Sequence, residues 1–195
     1  MISQWVRRIT RWFILPIARF MGRLGISPNL LTVVGFLMNI GVAYVLAQGN
    51  LQIGGILVLA AAAFDGLDGT LAREMKQSSR FGAYLDSVMD RFSESTIFGG
   101  LLILYIREAN TELAILIYAA IIGSLLVSYT RARAEGIGVE CEVGLFTRIE
   151  RVGVLVIGLL TKQMRIAIWV LAIFANLTAI QRVIYVWRSI GLRDD

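Results

Sequence analysis

Residues 64–90, with the sequence FDGLDGTLAREMKQSSRFGAYLDSVMD, place four aspartates in two closely spaced pairs within an apolar chain. Asp65 and Asp68 are three positions apart, and Asp86 and Asp90 are four positions apart. On an α-helix, residues at these spacings share a face, so each pair can direct its carboxylates toward one point. Two neighbouring helices would therefore offer four oxygen ligands to a common site.

Carboxylates inside a membrane segment are energetically costly. The cost is roughly 3 kcal/mol each on the insertion scale, and crowding four of them favours protonation. Divalent cations relieve both penalties. Hard oxygen ligands favour magnesium, manganese or calcium over zinc or copper, and the chain has no histidine to act as a ligand or base. Magnesium is the expected ion, with manganese as the second choice.

The composition indicates a membrane protein. Of 195 residues 57% are apolar, and the mean hydropathy is +0.71, which is too high for an ordinary soluble domain. Six apolar segments are near the ~20 residues needed to cross a bilayer, the fifth being the shortest. They cover 29–48, 52–73, 82–106, 113–133, 149–161 and 166–187. The sequence predicts one all-α membrane domain over 1–195, with a six-helix bundle over 28–188.

The first 27 residues predict an amphipathic interfacial helix. Trp5, Trp12 and Phe20 can enter the headgroup region while arginines such as Arg11 meet lipid phosphate. Arginines spread through this stretch, together with Pro16 and the absence of a clear cleavage site, argue against a signal peptide.

The distribution of arginine predicts the orientation. Basic residues precede the first span and flank the connection between the fourth and fifth spans, whereas the opposite connections carry few. Both termini and the aspartate site are expected on the cytoplasmic side of the plasma membrane. The net charge of +5 then fits an anionic lipid leaflet and no nucleic acid, because the cations cluster beside spans.

The single cysteine excludes an internal disulfide. Cys141 lies in the polar segment GIGVECEVG between the fourth and fifth spans, where a spectator thiol is the expected role.

Helix geometry places the aspartates at one depth. Asp68 lies five residues before the predicted end of the second span near Arg73, and Asp86 lies five residues after the predicted start of the third near Phe81. At ~1.5 Å per residue both sit 7 to 8 Å below the same membrane edge. Neighbouring glycines leave backbone exposed for a bulky phosphate, and Arg73 can meet its charge.

The motif resembles the signature of the CDP-alcohol phosphotransferase family. DGLDGTLAR is followed by eight residues and then by Gly82, Asp86 and Asp90, and no position departs from the pattern. The resemblance implies an N-terminal interfacial helix, six transmembrane helices and a homodimer. It also implies transfer of a phosphatidyl-type group from a CDP-alcohol to a second alcohol, with release of CMP.

The resemblance further implies residue roles. Asp65, Asp68, Asp86 and Asp90 would bind the metal, and Asp90 would act as general base. The family's nucleotide-binding positions fall on Pro28, Asn29, Leu30, Leu31, Gly69, Ala72, Arg73 and Ser79. Ser-Pro-Asn before a helix is also an ordinary N-cap sequence, so the assignment of Pro28–Leu31 has a structural alternative.

The second basic cluster bears on the acceptor. RARAE at 131–135, followed by RIER at 148–151, resembles the branch that makes phosphatidylinositol phosphate from CDP-diacylglycerol and inositol 1-phosphate, or its archaetidyl counterpart from CDP-archaeol. Members commonly show ERPER where this chain has Thr147–Arg151. The resemblance implies that Arg131, Arg133, Arg151 and Arg182 bind the acceptor phosphate.

Three alternatives remain open. Glycerol 3-phosphate as the acceptor would give phosphatidylglycerol phosphate, because it also presents a phosphate. Buried ion pairs of the aspartates with Arg73, Arg80 and Arg91 would give a structural site. A divalent cation transporter would also carry acidic residues within its spans, although a transport path should place charges across the midplane.

Overall fold

A computed structural model of the chain describes Pro16, residues 27–74 and residues 79–191, without the side chains of 66–74. Within those ranges the chain forms six helices and no strand. The helices are α1 Pro28–Ala47, α2 Leu51–Glu74, α3 Arg80–Arg107, α4 Thr111–Glu135, α5 Arg148–Thr161 and α6 Met164–Gly191. The interfacial helix predicted over 1–27 falls outside the described residues, apart from Pro16 and Ser27.

Each of the six predicted apolar segments forms a helix, and every helix end lies within four residues of the predicted end. Three helices are long and apolar enough to cross a membrane in the described part of the chain, namely α1, α4 and α6. Within the part of α2 whose side chains are described, Leu51–Asp65 forms a shorter apolar stretch. The fifth helix has 14 residues, about 21 Å at ~1.5 Å per residue.

Local side chains define where several helices begin. Ser27 precedes α1, and its hydroxyl accepts the backbone N–H of Leu30 at 3.3 Å. Pro28 takes the first helical position, where the N–H that proline lacks would have had no partner. Asn110 caps α4 by accepting the N–H of Leu113 at 3.2 Å. These caps satisfy backbone donors that a helix start leaves unpaired.

The helices fall into two compact units. The first unit takes in the described residues up to Val42 and the segment Leu57–Ile97, and therefore contains the beginning of α1, most of α2 and the beginning of α3. The rings of Phe36 and Phe92 meet edge to face in this unit, with centroids 6.1 Å apart. This contact holds α1 against α3.

The second unit takes in Ala43–Ile56 and the chain from Phe98 onward. Both α4 and α5 pack against α6. Two side chains bond to carbonyls at helix ends: Arg107 reaches Ala47 O at 3.4 Å, and Gln52 reaches Leu160 O at 3.1 Å. The end of α1 comes so close to α3 that a Cβ on Gly100 would lie 2.8 Å from the Cα of Ala43.

One polar clamp joins the first turns of α4 and α6. The Glu112 carboxylate accepts two N–H groups of Arg165, at 3.2 and 2.6 Å, and the indole N–H of Trp169 at 2.9 Å. A guanidinium that meets both carboxylate oxygens has a defined orientation. The clamp therefore links two helices that are long and apolar enough to cross a membrane.

Candidate active site

The aspartate motif lies on α2 and α3 within the first unit. Asp68 lies six residues before the end of α2 at Glu74, and Asp86 lies six residues after the start of α3 at Arg80. As the sequence predicts, the two aspartates are equally far from the facing ends of their helices, although both helices extend slightly further than predicted. Helices joined by so short a connection run antiparallel, so the two aspartates lie at similar depth.

Three of the four aspartates have described side chains. Asp65, Asp86 and Asp90 are all half-buried, whereas the side chain of Asp68 lies outside the description. Arg91 donates to an Asp90 oxygen at 3.4 Å. This contact is one of the ion pairs that a structural reading of the motif predicted, but at this length it is a weak hydrogen bond.

The donor chemistry suits a hard divalent cation. The three described aspartates offer carboxylate oxygens only, and half-burial lowers the dielectric that screens them. Among the residues with described side chains, no group of three carboxylate, thiol or imidazole ligands gathers around one point. Asp68, the fourth predicted ligand, is not among these described side chains.

The starts of α1 and α3 meet in the same unit. Ser79 caps α3, its hydroxyl accepting the N–H of Gly82 at 2.9 Å. A Cβ on Gly82 would lie 3.1 Å from Asn29 Oδ1, so the Asn29 amide reaches the first turn of α3. Two predicted nucleotide-binding residues, Asn29 and Ser79, are thereby brought together around Gly82.

The other predicted nucleotide-binding residues of α1 differ in their exposure to solvent. Pro28 is half-buried, Leu30 is exposed and Leu31 is buried in the core. The cap at Ser27 shows that the Ser-Pro-Asn sequence does start a helix. The backbone at Gly69, Ala72 and Arg73 is helical, and their side chains are outside the description.

Arg151 and Arg182 are buried in the second unit, with exposed fractions of 2% and 4%. Arg182 donates through Nε to Val143 O at 2.8 Å and through a terminal nitrogen to Val127 O. Arg151 donates to Phe146 O at 3.3 Å. Both side chains thus hold the segment between α4 and α5. The partners of Arg182 in the described chain are carbonyls and no carboxylate.

A guanidinium has five N–H groups. The two hydrogen bonds of Arg182 occupy one on Nε and one on a terminal nitrogen, which leaves N–H groups for a further acceptor. The lack of a side chain at Gly144 leaves room for the Arg182 guanidinium, since a Cβ on Gly144 would lie 3.3 Å from the second terminal nitrogen of Arg182.

The charges of Arg131 and Arg151 both act on Arg182, and Glu135 counteracts them. Arg131 itself pairs with Glu135, Nε to Oε1 at 2.8 Å, and this pair is half-exposed. The structure therefore places Arg131 and Arg151 near Arg182. Arg133, on the same helix as Arg131, is exposed.

The loop before α5 is held by hydrogen bonds at the start of α5 and by one hydrogen bond to α6. Thr147 precedes the helix, and its N–H donates to a Glu150 oxygen at 2.8 Å, which its hydroxyl also contacts. Gln181 accepts the N–H of Leu145 at 3.3 Å. A threonine at an N-cap with a glutamate three residues later is a capping-box sequence. Thr147 is thus a suitable residue for the start of α5.

Cys141 is buried, with Ala134 and Val139 as core neighbours. Its neighbours Glu140 and Glu142 are exposed, so the side chains alternate as in an extended segment. The thiol acts as a small core side chain, in agreement with the spectator role expected from the sequence.

The motif, the helix pattern and the paired aspartates on α2 and α3 define a family. Residues 25–187 match the family model of CDP-alcohol phosphatidyltransferases, and the chain belongs to that family. It is accordingly a phospholipid-synthesising transferase with membrane helices.

Relatives extend along nearly the whole chain. An archaetidylinositol phosphate synthase of Methanothermobacter thermautotrophicus is 36% identical over 97% of this chain and 96% of its own length. A phosphatidylinositol phosphate synthase of Mycobacterium marinum is 34% identical over 92% of this chain and 81% of its own length.

Solved structures have the same fold. The phosphatidylinositol phosphate synthase PgsA1 of Mycobacterium tuberculosis with CDP-DAG bound superposes with a TM-score of 0.86 at 31% identity, over 90% of this chain and 94% of that one. The same enzyme in complex with manganese and citrate gives 0.85 at 32% identity, over 90% and 89%.

Proposed function

We propose that the chain transfers a phosphatidyl or archaetidyl group from CDP-diacylglycerol or CDP-archaeol to inositol 1-phosphate, releasing CMP. The observation that carries the acceptor is the burial of two guanidinium groups, Arg151 and Arg182, close enough for the charge of one to act on the other. A phosphate dianion neutralises such a cluster and accepts several N–H groups at once. The names of the relatives support inositol phosphate as the alcohol that carries this phosphate.

We assign Asp65, Asp68, Asp86 and Asp90 to binding of magnesium, with manganese as the second choice. The manganese complex of a structural neighbour supports a divalent ion. When bound, such an ion neutralises the donor diphosphate and stabilises the departing CMP. We assign the CDP moiety to Pro28–Leu31, Gly69, Ala72, Arg73 and Ser79, of which Asn29 and Ser79 are adjacent at Gly82.

In the proposed reaction the acceptor hydroxyl oxygen attacks the phosphorus that carries the lipid. The bond between that phosphorus and the oxygen of CMP breaks, and Asp90 takes the hydroxyl proton. A carboxylate acts as a base when it is ionised and within hydrogen-bonding reach of the hydroxyl.

We further propose six membrane crossings, an interfacial helix over 1–27, both termini and the active site in the cytoplasm, and a homodimer. The arginines at the predicted cytoplasmic ends support the orientation. The short helix α5 crosses with local thinning of the bilayer. In α3 the ionisable residues are concentrated between Arg80 and Glu94, which leaves its second half apolar.

The test measures CMP release by purified protein in detergent with Mg²⁺ and CDP-diacylglycerol or CDP-archaeol. Inositol 1-phosphate, glycerol 3-phosphate and free inositol are compared as acceptors. Release with inositol 1-phosphate alone supports the proposal. Preference for glycerol 3-phosphate would identify a different acceptor and leave the phosphate-binding role of the arginines in place. Equal use of free inositol would overturn the role of the arginines.

A further inference from the structure

A glycine of helix α1 lies against Asp65, one of the proposed metal ligands. Gly35 of α1 is buried, and a Cβ built on it would lie 3.1 Å from Asp65 Oδ1. The same Cβ would lie 3.6 and 3.8 Å from two ring carbons of Phe64. The backbone of α1 therefore lies directly beside the Asp65 carboxylate.

Neighbouring contacts hold this part of α1 in place. Asn39, one turn further along the same face, is 2% exposed, and its amide donates to Gly35 O at 2.9 Å. Phe36 packs edge to face on Phe92 of α3. Because the helix backbone is packed on these two sides, a group added at position 35 presses on the Asp65 carboxylate.

We infer that Gly35 is a positioning residue for Asp65, an inference that rests on the proposed metal site. A methyl group at 3.1 Å is tighter than nine in ten Cβ contacts, so the carboxylate must give by a few tenths of an ångström. Magnesium sites require oxygens at 2.0–2.1 Å in near-ideal geometry. A displacement of this size therefore weakens ion binding while leaving the helix intact.

The competing explanation is that Gly35 only permits α1 and α2 to pack closely. In that case an added methyl group would lower the melting temperature and leave ion affinity unchanged. The two explanations differ in which measurement changes, so one variant distinguishes them.

The test uses Gly35→Ala in the full chain, with Gly41→Ala as the matched control. Gly41 lies on the same helix, is exposed, and a Cβ there meets nothing within 4 Å. Binding of Mn²⁺ to the purified protein, without donor or acceptor, is followed by the electron paramagnetic resonance of free Mn²⁺. Melting temperature is measured in parallel.

Gly35→Ala is expected to bind Mn²⁺ about tenfold more weakly, the lower end of the range for residues that orient metal ligands. Its melting temperature should match that of wild type, and Gly41→Ala should match wild type in both measurements. Unchanged Mn²⁺ affinity in Gly35→Ala would overturn the inference. If this variant does not fold, the double variant Gly35→Ala/Phe64→Leu replaces it, because the smaller side chain opens space beside the methyl group.

Asp65→Asn separates this inference from the proposed function. Loss of Mn²⁺ binding in Asp65→Asn with normal binding in Gly35→Ala would overturn the role of Gly35 and leave the metal site standing. Normal binding in Asp65→Asn would remove Asp65 from the metal site, and the inference about Gly35 would be overturned with it.

Discussion

Arg182 Nε lies 2.8 Å from the carbonyl oxygen of Val143, so a buried cation of the last helix holds the backbone of a loop 39 residues earlier. A structural role and a binding role are compatible in this side chain, because the carbonyls of Val127 and Val143 occupy only part of its N–H groups. Substitution of Arg182 can separate the two roles.

Arg182→Lys should impair use of the acceptor selectively. Lysine keeps the charge but lacks the planar fork that reaches a loop carbonyl and a phosphate together. Loss of one charge-assisted hydrogen bond is worth about 1.5–3 kcal/mol, so the KM for inositol 1-phosphate should rise roughly tenfold or more. The KM for CDP-diacylglycerol should stay near that of wild type.

Arg165→Lys is the control for this variant, because Arg165 lies on the same helix in an exposed pair with Glu112. Its acceptor KM should be unchanged. A parallel rise of both KM values in Arg182→Lys would mean that Arg182 supports the fold and does not bind the acceptor.

Asp90→Asn should abolish turnover and keep the fold. Asparagine preserves the shape but cannot take the proton of the hydroxyl, and loss of a general base costs about 10²–10⁴-fold in rate. Single-turnover CMP release is the measurement, with melting temperature as the check on folding. Activity within a few-fold of wild type would refute the base assignment.

Gly100→Ala should destabilise the second unit. A Cβ there would lie 2.8 Å from Ala43 Cα and would contact the Ala43 carbonyl, so the backbones must separate. Overpacking of this kind costs about 1–3 kcal/mol. Thermal unfolding in detergent measures the effect.

The adjacent Gly99 provides the control, because a Cβ there meets nothing within 4 Å. Gly99→Ala should unfold at or above the wild-type temperature, since alanine favours a helix over glycine. Equal melting temperatures for the two variants would contradict the close approach of α1 and α3 at Gly100.

Glu112→Gln should lower the melting temperature without affecting catalysis. Glutamine keeps an acceptor oxygen for Trp169 but loses the charged two-point contact with Arg165. The expected result is a drop of a few degrees with unchanged KM for both substrates. A change in acceptor KM would show that the clamp affects the active site as well.

The sequence was sufficient to predict the helices, because apolar segments of membrane length are a strong signal. Arg131 and Glu135 form an ion pair one turn apart on α4, a spacing at which helical side chains meet. The C-terminal end of α6 was less predictable. The helix continues past the end of the predicted apolar segment, through Arg188 to Gly191, because polar residues can extend a helix without adding to its apolar segment.

Contacts between distant residues were not predictable. Arg182 bonds to the carbonyls of Val127 and Val143, and no side-chain pattern in a sequence identifies a carbonyl acceptor. Gly35 gave no signal of its own, because a glycine in an apolar helix has many explanations. Its proximity to Asp65 depends on how α1 and α2 pack, which periodicity does not determine.

The loop between α4 and α5 is held by Arg151, Gln181 and Arg182 through main-chain atoms of residues 143–146. Main-chain carbonyls and amides are common to nearly all amino acids, so mutation along this loop can alter its side chains while these bonds persist. Leu145 is 70% exposed and is therefore free to vary in size and polarity. In the proposed acceptor site, evolution can thus sample new alcohols by changing loop side chains, without first rebuilding the anchor of the loop.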